Sequence, residues 1–244
     1  MGINSEIITS NNQNAHSFQI QGIIFDLDGT IIRSVVDFPK MKSDMIHYID
    51  GLDLQGTNYT IKHTTNEIIT DLNKKMVNQN ILEDKRNNIL EEISEILTKV
   101  EFENIDKVEL LPGVKEFISY CFENKIKMVI LTRASEKYTN EALKRMEIIE
   151  YFLDVVTRDD FTLLRAKPHI HALNYVIDRL GLSSENIIFV GDHKIDHMCA
   201  EAGNIRFVGV LEGAYNRQML SELNNFRLVK DFHELLKLVK EING

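Results

Sequence analysis

The sequence predicts an α/β fold, a parallel sheet flanked by helices and interrupted after its first strand by an all-helical insertion. Three observations carry this. Apolar, β-branched runs at residues 23–25, 127–132 and 186–192 are separated by stretches of helical period. The first run stops at two carboxylates one residue apart, Asp26 and Asp28. Residues 36–106 then show helical periodicity alone.

Ile23, Ile24 and Phe25 suit a strand buried on both faces, because an apolar run without alternation fits the centre of a parallel sheet. Asp26 stands at its end, and in open parallel sheets the carboxyl ends of strands are where ligands bind. Asp26 and Asp28 share strand parity and face one site if the chain stays extended through Leu27. Gly29 permits a turn that brings backbone N–H groups close to an anion. Taken alone, Asp-x-Asp-Gly also reads as an ordinary turn after a strand.

Phe38, Met41, Met45 and Ile49 recur at three- and four-residue spacing, as do Ile68, Ile69, Leu72 and Met76, and then Ile89, Ile93, Ile96, Leu97 and Val100. Three amphipathic helices are therefore expected, joined first by a loop over residues 50–63 with Gly51, Gly56 and Asn58. Their Met and Ile stripes read as helix-packing core rather than a cofactor groove. Pro112 and Gly113 are expected to open the next helix, with proline in its first turn and Val114, Phe117, Ile118 and Cys121 on one face. Residues 127–132 form the second strand, and Ser135 caps a helix reaching Met146. Residues 153–157 form the third strand, followed by a helix carrying Ile170, Leu173, Val176, Ile177 and Leu180. Residues 186–192 and 206–211 supply the fourth and fifth, and Phe232, Leu235, Leu236, Val239 and Ile242 mark a closing helix. Such alternation implies right-handed βαβ units, and an insertion after the first strand would stand over the carboxyl edge of the sheet as a lid.

The chain has 244 residues, long enough for a core domain with a smaller insert, and 43% hydrophobic with 27% charged residues is ordinary for a soluble globular protein. With 28 basic against 37 acidic residues the net charge is −9, which argues against non-specific binding to nucleic acid or an anionic membrane. An anionic substrate then needs a local basic cluster or a metal. Cys121 and Cys199 are too few for a disulfide framework and read as small buried hydrophobes. The Asn- and Ser-rich start lacks the basic and apolar segments of a signal peptide, and no apolar run approaches membrane-spanning length. Residues 1–17 are expected to be a disordered tail, and the protein to be cytoplasmic, a monomer or homodimer.

The candidate site residues all fall at or beside predicted strand ends. Asp26 and Asp28 follow the first strand, Thr132 ends the second, Lys167 lies after the third, and Asp192 ends the fourth with Asp196 four residues on. Singly, Thr132 reads as a helix cap, Lys167 as a solvated charge and Asp192 as a turn residue. Together they bring one set of chemistry-bearing groups to one sheet edge.

The strings DLDGT at residues 26–30, ILT ending at Thr132, AKPH with Lys167 and GDHKID with Asp192 and Asp196 resemble the four motifs of the haloacid dehalogenase superfamily of phosphatases. The resemblance spans residues 20–212, and the helical insertion looks like the cap of the phosphoglycolate phosphatase and β-phosphoglucomutase branch. It implies a Rossmann-like core over residues 18–35 and 107–244 with a cap over residues 36–106. It further implies Asp26 as nucleophile, Asp28 as general acid and base, and Thr132 and Lys167 as phosphate holders, with Arg133 beside them. Mg²⁺ would be bound by Asp26, the main-chain carbonyl of Asp28 and Asp192, with Asp196 supporting the site or reaching it through water and Gly29 supporting it. The implied substrate is a small phosphorylated metabolite.

Electrostatics supports those roles. A carboxylate approaching a phosphate dianion meets a repulsion of roughly 8 kcal/mol at ~4 Å and an effective dielectric of about 20. A divalent cation, Lys167 and backbone N–H groups after Leu27 offset it, and oxygen-rich ligation suits Mg²⁺. An aspartyl-phosphate then divides hydrolysis into two easier steps. The chain departs from its branch at Arg33, where an Asp is usual, at Arg133, where small or amide residues are common, and at His193, often Ser. Arg33 reads either as a substrate-anion contact or as a solvated hinge charge, and His193 either tunes its loop or caps the next helix. A sugar-phosphate mutase is the alternative function, and a non-catalytic binding protein of the same fold a third. A carbon–halogen hydrolase is disfavoured because that branch lacks the second carboxylate, here Asp28.

Overall fold

The computed structural model describes residues 18–211 and 226–244; the tail expected over residues 1–17 lies outside the described residues. Six strands form one sheet in the order β5-β4-β1-β6-β7-β8, every neighbouring pair parallel. They are β1 (Gly22–Phe25), β4 (Lys127–Leu131), β5 (Asp154–Val156), β6 (Ile187–Gly191), β7 (Arg206–Val210) and β8 (Phe226–Val229). A separate two-residue antiparallel ribbon joins β2 (Ile32–Arg33) to β3 (Glu109–Leu110).

The apolar run of β1 is apolar throughout because both its faces are covered. Ile23 and Phe25 pack into one layer, with Phe117 of α4 (Val114–Glu123), Tyr138 of α5 (Glu136–Arg145) and Phe232 of the last helix, α8 (Phe232–Asn243). Ile24 packs into the other, with Leu173 and Val176 of α6 (Ile170–Leu180) and Cys199 of α7 (Lys194–Ala202). Period-two alternation thus sends neighbouring residues to opposite cores. Both cysteines are free and buried, as expected from their small number. Among the described residues no helix is long and apolar enough to cross a membrane.

Between the two ribbon strands run α1 (Phe38–Asp50), α2 (Thr65–Asn78) and α3 (Glu83–Phe102). Met41, Met45, Ile49, Ile68, Leu72, Met76, Ile93 and Leu97 make a core of their own there, joined by Leu163 from the chain after β5. Thr64 starts α2 through a capping box with Glu67, and Asp37 caps α1 through the Lys40 amide.

Several expectations are corrected. Pro112 lies before the helix rather than in its first turn, because Gly113 is the N-cap of α4 at φ 79° and a Cβ there would stand 2.9 Å from His233 Nδ1. Ile170 is exposed, and α6 buries Ala172, Leu173, Val176 and Leu180 instead. Strand β8 and the ribbon were not expected. Each is short, and Ile32 meets Leu110 across the whole insertion, a pairing that no local pattern encodes.

Candidate active site

Three adjacent strands, β4, β1 and β6, end on candidate residues. The amide of Asp26, just past β1, donates to Val190 O at 3.0 Å, and the amide of Thr132, just past β4, donates to Val156 O at 2.9 Å. Asp192 follows β6 directly, and Lys167 enters from the segment after β5. The three aspartates Asp26, Asp192 and Asp196 are buried, each offering an oxygen within 4.8 Å of the others. Lys167, 2% exposed, donates to Asp26 Oδ1, to Asp196 Oδ1 at 2.7 Å and to Leu131 O at 3.1 Å.

Glycine brings these carboxylates together. Gly29 has φ 83°, and a Cβ there would stand 2.9 Å from Asp192 Cγ; a Cβ at Gly191 would lie 2.5 Å from Asp196 Cβ. The turn after Asp28 is closed by Gly29 N donating to Ile32 O at 2.8 Å and Ile31 N to Leu27 O at 2.9 Å. Asp196 is fixed from the other side by the His193 amide, 2.9 Å from its Oδ2. His193 caps α7, its Nδ1 accepting from Ile195 N at 3.1 Å.

Three buried carboxylates against one ammonium leave the cluster short of positive charge. Burial pushes the Asp26 and Asp192 carboxyls upward, and the neighbouring carboxylates push them further, against the pull of Lys167. Burial alone would lower Lys167, but Asp196 and Asp26 together outweigh it and hold it protonated. An all-oxygen set with a charge deficit, held by glycines too close-fitting for any side chain, fits a hard divalent cation. Asp28 stands apart, pushed up to about 6 chiefly by burial, while the Tyr138 hydroxyl donates to its Oδ1 at 2.8 Å.

These residues form the base of a cavity of about 180 Å³ whose far wall comes from the insertion: Val36, Phe38, Met41 and Lys42 at its start, Leu97 and Glu101 on α3. Thr132 Oγ1 accepts from Ala134 N at 3.1 Å, which leaves its proton to donate into the cavity. Arg133 also lines it, with Nη1 bonded to Lys167 O. Arg33 does not reach it. That side chain is exposed on the ribbon opposite Glu109, which favours the hinge reading over the substrate contact.

Two buried residues here were not singled out in the sequence. Arg158, 2% exposed, pairs with Glu101, and also donates to Arg133 O at 3.0 Å, Ser94 O at 3.1 Å, Ser94 Oγ at 3.2 Å and Thr98 Oγ1 at 2.7 Å. Glu101 Oε2 accepts from Ser135 Oγ at 2.7 Å and Ser135 N at 3.1 Å. The one available signal was Glu101 itself, a charge in phase with the apolar stripe of Leu90, Ile93 and Leu97.

A family profile described as haloacid dehalogenase-like hydrolase matches residues 23–210. The phosphoglycolate phosphatase of Photobacterium profundum is 27% identical over 226 residues, 91% of this chain and 96% of that protein. That of Nitrosococcus oceani is 26% identical over 199 residues, covering 81% and 86%. A hydrolase from Pseudomonas syringae superposes with a TM-score of 0.67 at 21% identity over 91% of this chain and 98% of that one, a likeness of fold. Since the profile spans more than half of the sequence and the motif residues converge on one sheet edge, the chain belongs to the haloacid dehalogenase-like hydrolases.

Proposed function

We propose that this hydrolase is a Mg²⁺-dependent phosphatase that cleaves a small-metabolite phosphomonoester through an aspartyl-phosphate on Asp26. The observation that carries this is the buried cluster of Asp26, Asp192 and Asp196 against Lys167 at the base of a cavity. Asp26, Asp192 and the main-chain carbonyl of Asp28 would hold the ion, with Asp196 supporting it. When bound, Mg²⁺ supplies positive charge that lets a carboxylate approach a phosphate dianion.

The chain's own groups account for the rest. Asp26, steered by Lys167, attacks phosphorus; the bond from phosphorus to the leaving oxygen breaks as Asp28 gives that oxygen its proton. Water then attacks the aspartyl-phosphate, Asp28 takes up the water's proton, and free phosphate leaves with Asp26 restored. Thr132 donates to a phosphoryl oxygen. Residues 36–106 act as a cap on the core of residues 18–35 and 107–244, supplying apolar walls that exclude water.

The leaving part is read by Arg133. Burial, with the cationic Arg158 nearby, lowers it to about 10, and among the described residues no carboxylate pairs with it, since Glu101 is engaged by Arg158 and Ser135. A carboxylate on the leaving group, as in a phosphorylated hydroxy acid such as phosphoglycolate, suits a guanidinium in that place. The names of the curated relatives support this substrate class.

The test is release of free phosphate across a panel of phosphomonoesters, with Mg²⁺ and with chelator. Release that depends on Mg²⁺, fastest with a carboxylated substrate, is expected. Relocation of phosphate on a hexose 1-phosphate without release would favour the mutase, and no turnover of any ester would leave a binding protein.

A further inference from the structure

The Tyr138 hydroxyl takes no part in the chemistry above, yet it makes a 2.8 Å hydrogen bond with Asp28 Oδ1 across 110 residues of sequence. Tyr138 is fully buried, packed in the layer that contains Phe25, Leu27 and Ile31. A phenol has one proton to give, and here it goes to the carboxylate that faces the leaving group. Oδ1 is thereby engaged, and Ser34 stands as the other polar side chain beside this carboxyl, both residues lining the cavity.

The residues behind Tyr138 fix it in turn. Its backbone amide donates to Ser135 Oγ at 3.3 Å, the cap of α5, and the same Ser135 hydroxyl donates to Glu101 of α3 at 2.7 Å. A chain of hydrogen bonds thus runs from the insertion through the first turn of α5 to Asp28.

We propose that Tyr138 is a positioning residue for the reaction, orienting Asp28 so that one defined oxygen of its carboxyl meets the leaving-group oxygen and then the attacking water. The inference rests on the acid and base role given to Asp28 above. A free carboxyl rotates about its last bond, and the hydroxyl removes that freedom before substrate binds. Proton transfer is sensitive to such placement, because a misplacement of about 1 Å costs on the order of 10²-fold.

The experiment compares the full-length protein with Tyr138→Phe, Asp28→Asn and the double variant, using Mg²⁺ and two esters, p-nitrophenyl phosphate and phosphoglycolate. Tyr138→Phe removes one oxygen and keeps the ring. Its kcat for the alkyl ester should fall about 10- to 100-fold, with KM within about twofold and the aryl ester losing less than about threefold, because acid assistance matters most for poor leaving groups. In the Asp28→Asn background the same change should add little, since Tyr138 acts only through Asp28. Equal losses on both esters, no loss, or full additivity in the double variant would overturn the inference. If Asp28→Asn itself lacks the leaving-group dependence, the parent reading of Asp28 fails; if only Tyr138→Phe lacks it, the positioning role alone fails.

Discussion

Two clusters of buried charge share the walls of one cavity, and they are resolved in opposite ways. Around Arg158 the balance is complete. One guanidinium meets one buried carboxylate, with the exposed Asp159 carboxylate 3.7 Å from its Nε, its N–H groups reach Glu101, Arg133 O, Ser94 and Thr98, and the second oxygen of Glu101 is filled by Ser135. Around Asp26 it is not, since three carboxylates share one lysine whose contacts are already taken. A balanced buried network contributes to holding α3 against the strands, whereas an unbalanced one costs stability and is worth keeping only for what it binds. Burial depth alone does not separate the two kinds; the charge count does.

The comparison breaks most visibly at Asp26. Asp26→Asn should lower turnover at least about 10³-fold, because on the proposed mechanism it removes the nucleophile and a metal ligand together. Yet its Tm in chelator should be no lower than that of the wild type, since one of three crowded negative charges is gone. Added Mg²⁺ should raise the wild-type Tm and raise the variant's less. A fall of several degrees in chelator would mean that this cluster, like the other, is structural.

Arg158→Met tests the other side. Leaving Glu101 buried and unpaired should cost about 3–5 kcal/mol of unfolding free energy in denaturant titrations. Adding Glu101→Gln should recover part of that, because the stranded charge is removed. A cost below about 1 kcal/mol would show that the network does not hold the insertion in place.

Why the Asp26 cluster was legible in the sequence and the Arg158 cluster was not follows from how each is encoded. Asp26, Thr132 and Asp192 each end an apolar run, so local pattern placed them at strand ends, and a parallel sheet of adjacent strands brought the ends together. Arg158 and Glu101 meet across 57 residues and Tyr138 meets Asp28 across 110, with nothing local to announce either pair. Nearness in sequence left two readings open at Arg33. It follows the first motif closely, but its neighbour Ile32 is the buried one, and strand alternation turns Arg33 outward. The edge strand β8 has only four residues, too short to read as a strand.

Gly29 sharpens the contrast at a smaller scale, because it belongs to the unbalanced cluster through backbone alone. Gly29→Ala would place a Cβ against the Asp192 carboxylate at a residue with φ 83°. The left-handed backbone should cost about 1–2 kcal/mol in a denaturant titration. Displacing Asp192 should also raise the Mg²⁺ concentration needed for half-maximal activity. A variant with unchanged Mg²⁺ dependence would remove Asp192 from the metal site.

The smallest effect lies between the clusters, at Arg133, which touches both through Lys167 O and through the Arg133 carbonyl that Arg158 binds. Its guanidinium has no carboxylate ion pair among the described residues, which is why the proposed function assigns it to the substrate. Arg133→Ala should raise KM for phosphoglycolate about tenfold, equivalent to about 1.4 kcal/mol, while changing that for p-nitrophenyl phosphate by less than about twofold. Replacing the side chain leaves the carbonyl that Arg158 needs, so the balanced network should survive and Tm should move little. Arg33→Ala serves as the control, with no change expected for either ester, because that side chain is exposed on the ribbon and absent from the cavity wall. If both esters respond alike to the loss of Arg133, its guanidinium serves the phosphoryl group or the fold, and the leaving group is read by some other part of the wall.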